Sequence, residues 1–210
     1  MLNFNVNAVS KKFNKDWIFK DVSFSLSEES VLGITGSNGS GKSTLLQILS
    51  GYRLPTSGIV SLDVNNSKIA VEDLYKHVSM SSPFLELIEE FTLIEQLQFY
   101  FRFKEVKNGL STDELLSLSL LTQHAHKQIC DFSSGMRQRV KLLLAFTSNS
   151  NLLLLDEPCS NLDNAGVDWY KKMAMCFSTG RIVVISSNHH TDELFSCNKF
   201  ISMEDFFPST

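Results

Sequence analysis

Residues 36–43 read Gly36-Ser37-Asn38-Gly39-Ser40-Gly41-Lys42-Ser43 and fill the pattern G-x-x-x-x-G-K-[ST] at every position. A loop of this kind works only between a buried strand and the start of a helix, so it constrains the fold as well as the chemistry. The flanks comply. Val31 to Thr35 is a short apolar run that stops at Gly36, and Thr44 to Ser50 reads as a helix closed by Gly51. The glycines let the backbone turn tightly and aim successive N–H groups at phosphate oxygens. The helix start, with Thr44 in its first turn, adds unpaired N–H groups and the positive end of its dipole. Lys42 brings a mobile positive charge to the outer phosphates, and the Ser43 hydroxyl is a ligand for Mg²⁺.

A second motif supplies carboxylates. Leu152-Leu153-Leu154-Leu155 is a buried-strand sequence that ends in Asp156-Glu157. Asp156 at the strand tip is placed to hold Mg²⁺, directly or through water. Glu157 is placed to orient an attacking water or take its proton. A leucine run followed by two acids is weak evidence alone. Beside a phosphate loop it becomes specific.

The rest of the chain divides into strand-rich ends and a helical middle. Phe4, Val6 and Ala8 alternate with polar residues, as do Val22, Phe24 and Leu26, the pattern of half-buried strands. Pro55, Ser57 and Gly58 mark a turn before a short strand at Ile59 to Leu62. Thr92 to Glu95 and Ser111 to Glu114 are capping-box patterns, followed by leucines at helical spacing, so 83–131 reads as mainly helical. A helix over 134–147, a strand at 152–155, a helix near 165–177 and a strand at 182–186 complete the expectation. The four cysteines show no metal or dithiol spacing and read as reduced thiols. A net charge of −4 argues against a broad nucleic-acid-binding face. No basic segment followed by an apolar run opens the chain. The most apolar stretch, Leu142 to Leu155, is broken at Thr147 to Asn151 and falls short of the ~20 residues a membrane span needs.

Phe132-Ser133-Ser134-Gly135-Met136-Arg137-Gln138-Arg139 resembles the signature motif of ATP-binding-cassette (ABC) ATPases, and Ser160-Asn161-Leu162-Asp163 resembles that family's D-loop. The order of phosphate loop, signature, carboxylate strand and D-loop is the family's order, and the resemblance covers nearly the whole chain. It implies an α/β fold: a three-layer P-loop NTPase core with N-terminal antiparallel strands and an inserted α-helical subdomain. The core would take about 1–82 and 148–210, the insertion about 83–147. The resemblance further implies ATP and Mg²⁺ as cofactors and a head-to-tail homodimer or heterodimer of ATPase subunits. Each ATP would lie on one subunit's phosphate loop under Ser133, Ser134 and Gly135 of the other. Phe13 matches the place of the family's adenine-stacking aromatic, with Trp17 as the nearby alternative.

Two positions depart from the family. Its usual glutamine between core and insertion is missing from Met80-Ser81-Ser82-Pro83-Phe84, where Ser82 takes the place and would reach the metal through water. Its usual histidine after the last strand falls on Asn188 by direct count, and His189 comes into place with a one-residue shift. Ser134 also stands for a glycine. The aromatic run Phe99-Tyr100-Phe101-Arg102-Phe103 is read as core packing first and a docking patch second. The functional expectation is an ATP-hydrolysing subunit powering a transporter, leaning to export. Its membrane-spanning permease would be a separate chain, leaving this subunit peripheral on the cytoplasmic face of the cell membrane. The alternatives are a non-transport ABC ATPase and a nucleotide-gated scaffold with weak hydrolysis.

Overall fold

The structure is a computed structural model that describes residues 1–188 and 190–207. Two long strands, β1 (Leu2–Phe13) and β2 (Asp16–Ser27), form an antiparallel hairpin. β3 (Val31–Thr35) leads into the phosphate loop and α1 (Lys42–Leu49). Then come β4 (Ser57–Val64), β5 (Ser67–Lys68), α2 (Leu74–His77) and β6 (Val78–Ser81). The middle holds α3 (Leu93–Tyr100), α4 (Thr112–Ser119) and α5 (Ser134–Thr147). The chain closes with β7 (Leu152–Asp156), α6 (Asn164–Phe177), β8 (Ile182–Ser187) and β9 (Lys199–Ser202).

The strands make two sheets. One is antiparallel, in the order β2-β1-β4-β5, and the other is parallel, in the order β6-β7-β8-β3-β9. Because the second sheet is parallel, the C-terminal tips of β3, β6, β7 and β8 share one edge. The register aligns Asp156 with Ser186, Ser81 with Leu155, and Thr35 with Ser187. Every chemical position singled out at a strand end therefore lands on the same side of the molecule, where open α/β sheets bind ligands.

The leucine run explains the three layers. Leu152 and Leu154 face a core shared with β1, β2, β4 and α1. Leu153 and Leu155 face a second core, shared with α3 to α6. β8 divides in the same way, with Ile182 and Val184 on one side and Val183 and Ile185 on the other. A strand buried on both faces reads as a continuous apolar run, and each leucine so buried contributes about 1.5–3 kcal/mol. The apolar stretch 142–155 is thus the end of α5 followed by β7, two elements in one core.

Three expectations are revised. The alternation through Ala8 breaks: Ala8 is exposed with φ 47°, and the register shifts between Val6 and Val9, so Val9 becomes the buried residue. This is a β-bulge. Residues 83–131 are less helical than their leucine spacing suggests. Both capping boxes form, but 83–92 is irregular chain tied by tight turns such as Leu85 N–H to Ser82 C=O. Of the aromatic run, Tyr100 and Phe101 pack on the core, whereas Phe103 is 72% exposed.

Candidate active site

A cavity of about 350 Å³ is lined by Ile18, Asn38, Gly39, Gly41, Lys42, Ser43, Thr44 and Glu157. It joins the phosphate loop to the acid after β7. Two of the glycines are forced. Gly36 has φ 146° and a Cβ there would lie 2.7 Å from the Ser40 hydroxyl; Gly41 has φ 96° and a Cβ there would lie 2.6 Å from Ile18. No side chain fits either place without moving the loop. Lys42 is only 5% exposed, and its ammonium donates to the carbonyls of Gly36 at 2.8 Å and Ser37 at 3.1 Å. Gly41 caps α1 without a side-chain bond, so the first N–H groups of the helix face outward.

Asp156 is 1% exposed and collects three hydroxyls. Ser43 donates to Oδ1 at 3.1 Å, Ser186 to the same oxygen at 2.5 Å, and Ser82 to Oδ2 at 2.7 Å. Ser82 therefore reaches the Asp156 carboxylate directly, despite its short side chain, because β6 runs beside β7 and ends in register with it. The donor set is all oxygen. Among the described residues no group of three or more His, Cys, Asp or Glu side chains is placed to hold a metal ion. One carboxylate and one hydroxyl suit Mg²⁺, which keeps several waters and takes its other ligands from bound phosphates.

Glu157 follows Asp156 with φ 47°, the left-handed region that a glutamate rarely occupies. Its N–H donates to the Ser186 carbonyl at 3.0 Å, which turns the side chain off the strand line to the cavity wall. Asn188 is exposed at the end of β8. His189 lies outside the described residues.

The signature residues line a different cavity, also about 350 Å³, with Arg139 and Asn161 to Asp163. Ser133 caps α5 by accepting the Met136 N–H at 3.3 Å. A Cβ on Gly135 would lie 2.8 Å from the Asn161 carbonyl, so the signature turn and the D-loop are packed backbone to backbone. The structure thus brings 38–44, Asp156, Glu157 and Ser82 together, and sets Ser133, Ser134 and Gly135 apart from them. Phe13 is not in the wall of the phosphate-loop cavity. It is 39% exposed, with the Lys11 ammonium 5.2 Å and the Arg53 guanidinium 5.1 Å from its ring centre. Trp17 lies between Lys12 and Lys20 in the same manner.

Sequence reasoning missed Ile18 and Ser186. Ser186 had a legible signal, a serine pair closing the apolar run Ile182 to Ile185. Ile18 had none, since only the fold of the hairpin carries it to the loop. All four cysteines are free, and burial pushes the Cys159 and Cys197 thiols up to about 12.

A family profile described as "ABC transporter" matches residues 19–160, more than half of the chain. Rat ATP-binding cassette sub-family A member 2 is 29% identical over 192 residues, which is 87% of this chain and 8% of that protein. The ABC transporter ATP-binding protein YybJ of Bacillus subtilis (strain 168) is 29% identical over 194 residues, 90% of this chain and 86% of its relative. Among solved structures, the dimeric ATP-binding cassette MJ0796 bound to ADP and Pi superposes with a TM-score of 0.79. It is 22% identical and covers 95% of this chain and 93% of its own. The fold agrees with the motif order and with the profile: this chain belongs to the ABC transporter family, as an ATP-binding cassette with ATPase activity.

Proposed function

We propose that this chain powers an exporter whose membrane-spanning part is a separate polypeptide, and that it works as a head-to-tail dimer. One observation carries the dimer. The phosphate-loop cavity and the signature cavity share no lining residue. A single chain therefore presents two half-sites, and a second cassette supplies the missing half of each. Ser133, Ser134 and Gly135 at the start of α5 would meet the outer phosphate held by the other subunit, through free N–H groups and a hydroxyl. The segment 83–147 is the inserted helical subdomain in this reading. No helix among the described residues is long and apolar enough to cross a membrane. A cytoplasmic place on the inner membrane face follows from a separate permease.

Within each site, residues 36–44 bind the phosphates and Lys42 exchanges its two carbonyls for phosphate oxygens. Ser43 and Asp156 would hold Mg²⁺, which would supply charge neutralisation at the outer phosphates. Ser82 and Ser186 orient the Asp156 carboxylate. Glu157 accepts the proton of the attacking water or fixes its direction, and Asn188 or His189 contacts the outer phosphate. Phe13 stacks on adenine, with Trp17 as the alternative. Closure does work because open and closed dimers bind ATP with different affinity.

Glu157→Gln tests this reading. We expect hydrolysis to fall by about 10²- to 10³-fold, with ATP binding kept and a dimer trapped in Mg-ATP. A variant that stays monomeric at saturating Mg-ATP during size-exclusion chromatography removes the sandwich. Affinity purification from detergent-solubilised native membranes tests the permease. A stoichiometric multi-span protein is expected, and only soluble partners would overturn that part. ATP-driven uptake into inverted membrane vesicles then reads export, and its absence with uptake by right-side-out vesicles reads import.

A further inference from the structure

A buried carboxylate stands behind the two loops that leave β7 and β8. Glu193 is 4% exposed. Its Oε1 accepts the Cys159 N–H at 2.9 Å and its Oε2 accepts the Ser187 hydroxyl at 2.5 Å. Cys159 comes two residues after Glu157, and Ser187 immediately precedes Asn188. One side chain therefore ties the loop after β7 to the last residue of β8, next to Asn188.

The segment bearing Glu193 is itself fixed on α6. The Tyr170 hydroxyl donates to the Glu193 carbonyl at 3.0 Å, and the Lys171 ammonium pairs with Asp192 at 2.5 Å. Ser187 also accepts the His190 N–H at 3.0 Å, so its hydroxyl is engaged as donor and acceptor. A carboxylate is the right group for this place. Its two oxygens form a rigid fork that spans both loops, which one hydroxyl or one carbonyl does not. Burial raises the Glu193 pKa against the hydrogen bonds from Ser187 and Cys159 that lower it. The fork is held at a cost in desolvation.

What the fork supports is a strained residue. A non-glycine residue at positive φ persists only where its surroundings over-determine it. Around Glu157 those surroundings are its N–H bond to Ser186, the Ser160 N–H on its own carbonyl at 3.0 Å, and the Glu193 hold on Cys159. We propose that Glu193 is a positioning residue for hydrolysis: by clamping the Cys159 N–H and the Ser187 hydroxyl it holds Glu157 in its left-handed conformation and sets where Asn188 is presented. The inference rests on Glu157 acting on the attacking water.

The test is steady-state hydrolysis with ATP affinity measured in parallel on the full chain. Glu193→Ala is expected to lower kcat about 10- to 100-fold, the size of effect that a small misplacement of a reacting group produces. Its ATP affinity is expected to stay within about twofold, because the phosphate loop is untouched. Glu193→Gln is expected to restore most of the rate: its amide oxygen accepts from Cys159 and its NH₂ donates to Ser187. Ser187→Ala, which cuts only one arm, is expected to lose rate by a smaller factor and to add nothing to Glu193→Ala in the double variant. A Glu193→Ala enzyme within about threefold of the parent overturns the proposal, as does a parallel loss of kcat and ATP affinity. If Glu193→Ala does not fold, an unchanged rate in Ser187→Ala overturns it instead. Glu157→Gln is measured beside them. If that variant still hydrolyses at the parent's rate, the underlying reading has failed; if it is inactive while the Glu193 and Ser187 variants keep the parent's rate, only this inference has.

Discussion

The two ends of the parallel sheet use buried cations in opposite ways. At the C-terminal end Lys42 rests on two loop carbonyls beside a cavity whose wall also holds Glu157. At the N-terminal end the buried polar groups pair mostly with one another, although the Arg181 Nε has no partner. His77 Nδ1 and the Asn151 side-chain oxygen are 2.6 Å apart, and the Ser79 and Ser150 hydroxyls 2.7 Å apart. Arg181, fully buried, donates to the carbonyls of Phe146 and Ser148 at the end of α5, at 2.9 and 3.2 Å. Burial lowers its pKa to about 10, so it stays charged at neutral pH. Its counter-charge is the negative end of the α5 dipole together with those carbonyls. The difference is one of exchangeability. A single ammonium on a flexible stem beside a cavity can trade carbonyls for phosphate, whereas a planar guanidinium enclosed in the core cannot trade at all.

That contrast can be broken, starting with the largest effect. Lys42→Ala is expected to weaken ATP binding about a thousandfold through the loss of charge-assisted bonds, with folding unaffected. Near-normal affinity by calorimetry would mean that Lys42 is as structural as Arg181. Arg181→Ala is expected to cost about 3 kcal/mol in urea unfolding, because the last carbonyls of α5 lose their donor. The folded fraction should bind ATP normally, and a loss of affinity would show the two ends to be coupled.

Smaller effects sharpen the same comparison. Ser82→Ala removes one of three hydroxyls from Asp156 and is expected to raise the Mg²⁺ concentration for half-maximal ATPase activity about fivefold, near 1 kcal/mol. An unchanged Mg²⁺ dependence would leave Ser82 as packing. The smallest effect is on pH. Burial first, and then the Arg181 charge, lower the Lys107 pKa to about 8 from 10.5. Between those values the unfolded chain holds a proton that the folded chain has released, so stability should rise with pH across that window. The contribution is fully present above about pH 10.5 and lost as pH falls through about 8. Lys107→Gln should flatten the rise in chemical-denaturation midpoints, and an unchanged slope would clear Lys107 of the effect.

Elements with strong local signals were legible. The leucine run of β7, the two capping boxes of the middle segment and the helix over 134–147 all sit where their residues place them. β6 and β9 carried no such signal. Val78 to Ser81 is four residues without clear alternation, and Lys199 to Ser202 is an edge strand with Lys199 and Phe200 exposed. Both exist because a neighbour offers a hydrogen-bonding edge, which is a tertiary cause. The site divides the same way. Lys42, Ser43, Asp156 and Glu157 could be singled out because their motifs carry a fixed spacing, and the structure places them at one end of the sheet. Ser186, whose serine pair was visible but whose partner was not, meets Asp156 only through the β7–β8 register, and Glu193 has no meaning until α6 holds its segment against the acid loop.

The sequence alone determined that a phosphate-loop motif stands between a buried strand and a helix, and that the ABC motif order runs through the chain. Those are local facts, since a glycine-lysine-serine loop and a strand that ends in two acids carry their reasons within a few residues. Only the tertiary structure decided that three serines from three separate strand tips and loops converge on Asp156. It also decided that the signature turn opens on a cavity of its own and that one buried glutamate fastens the loops after β7 and β8. Those depend on strand order and register, which follow from packing the whole chain around two cores rather than from any single stretch of it.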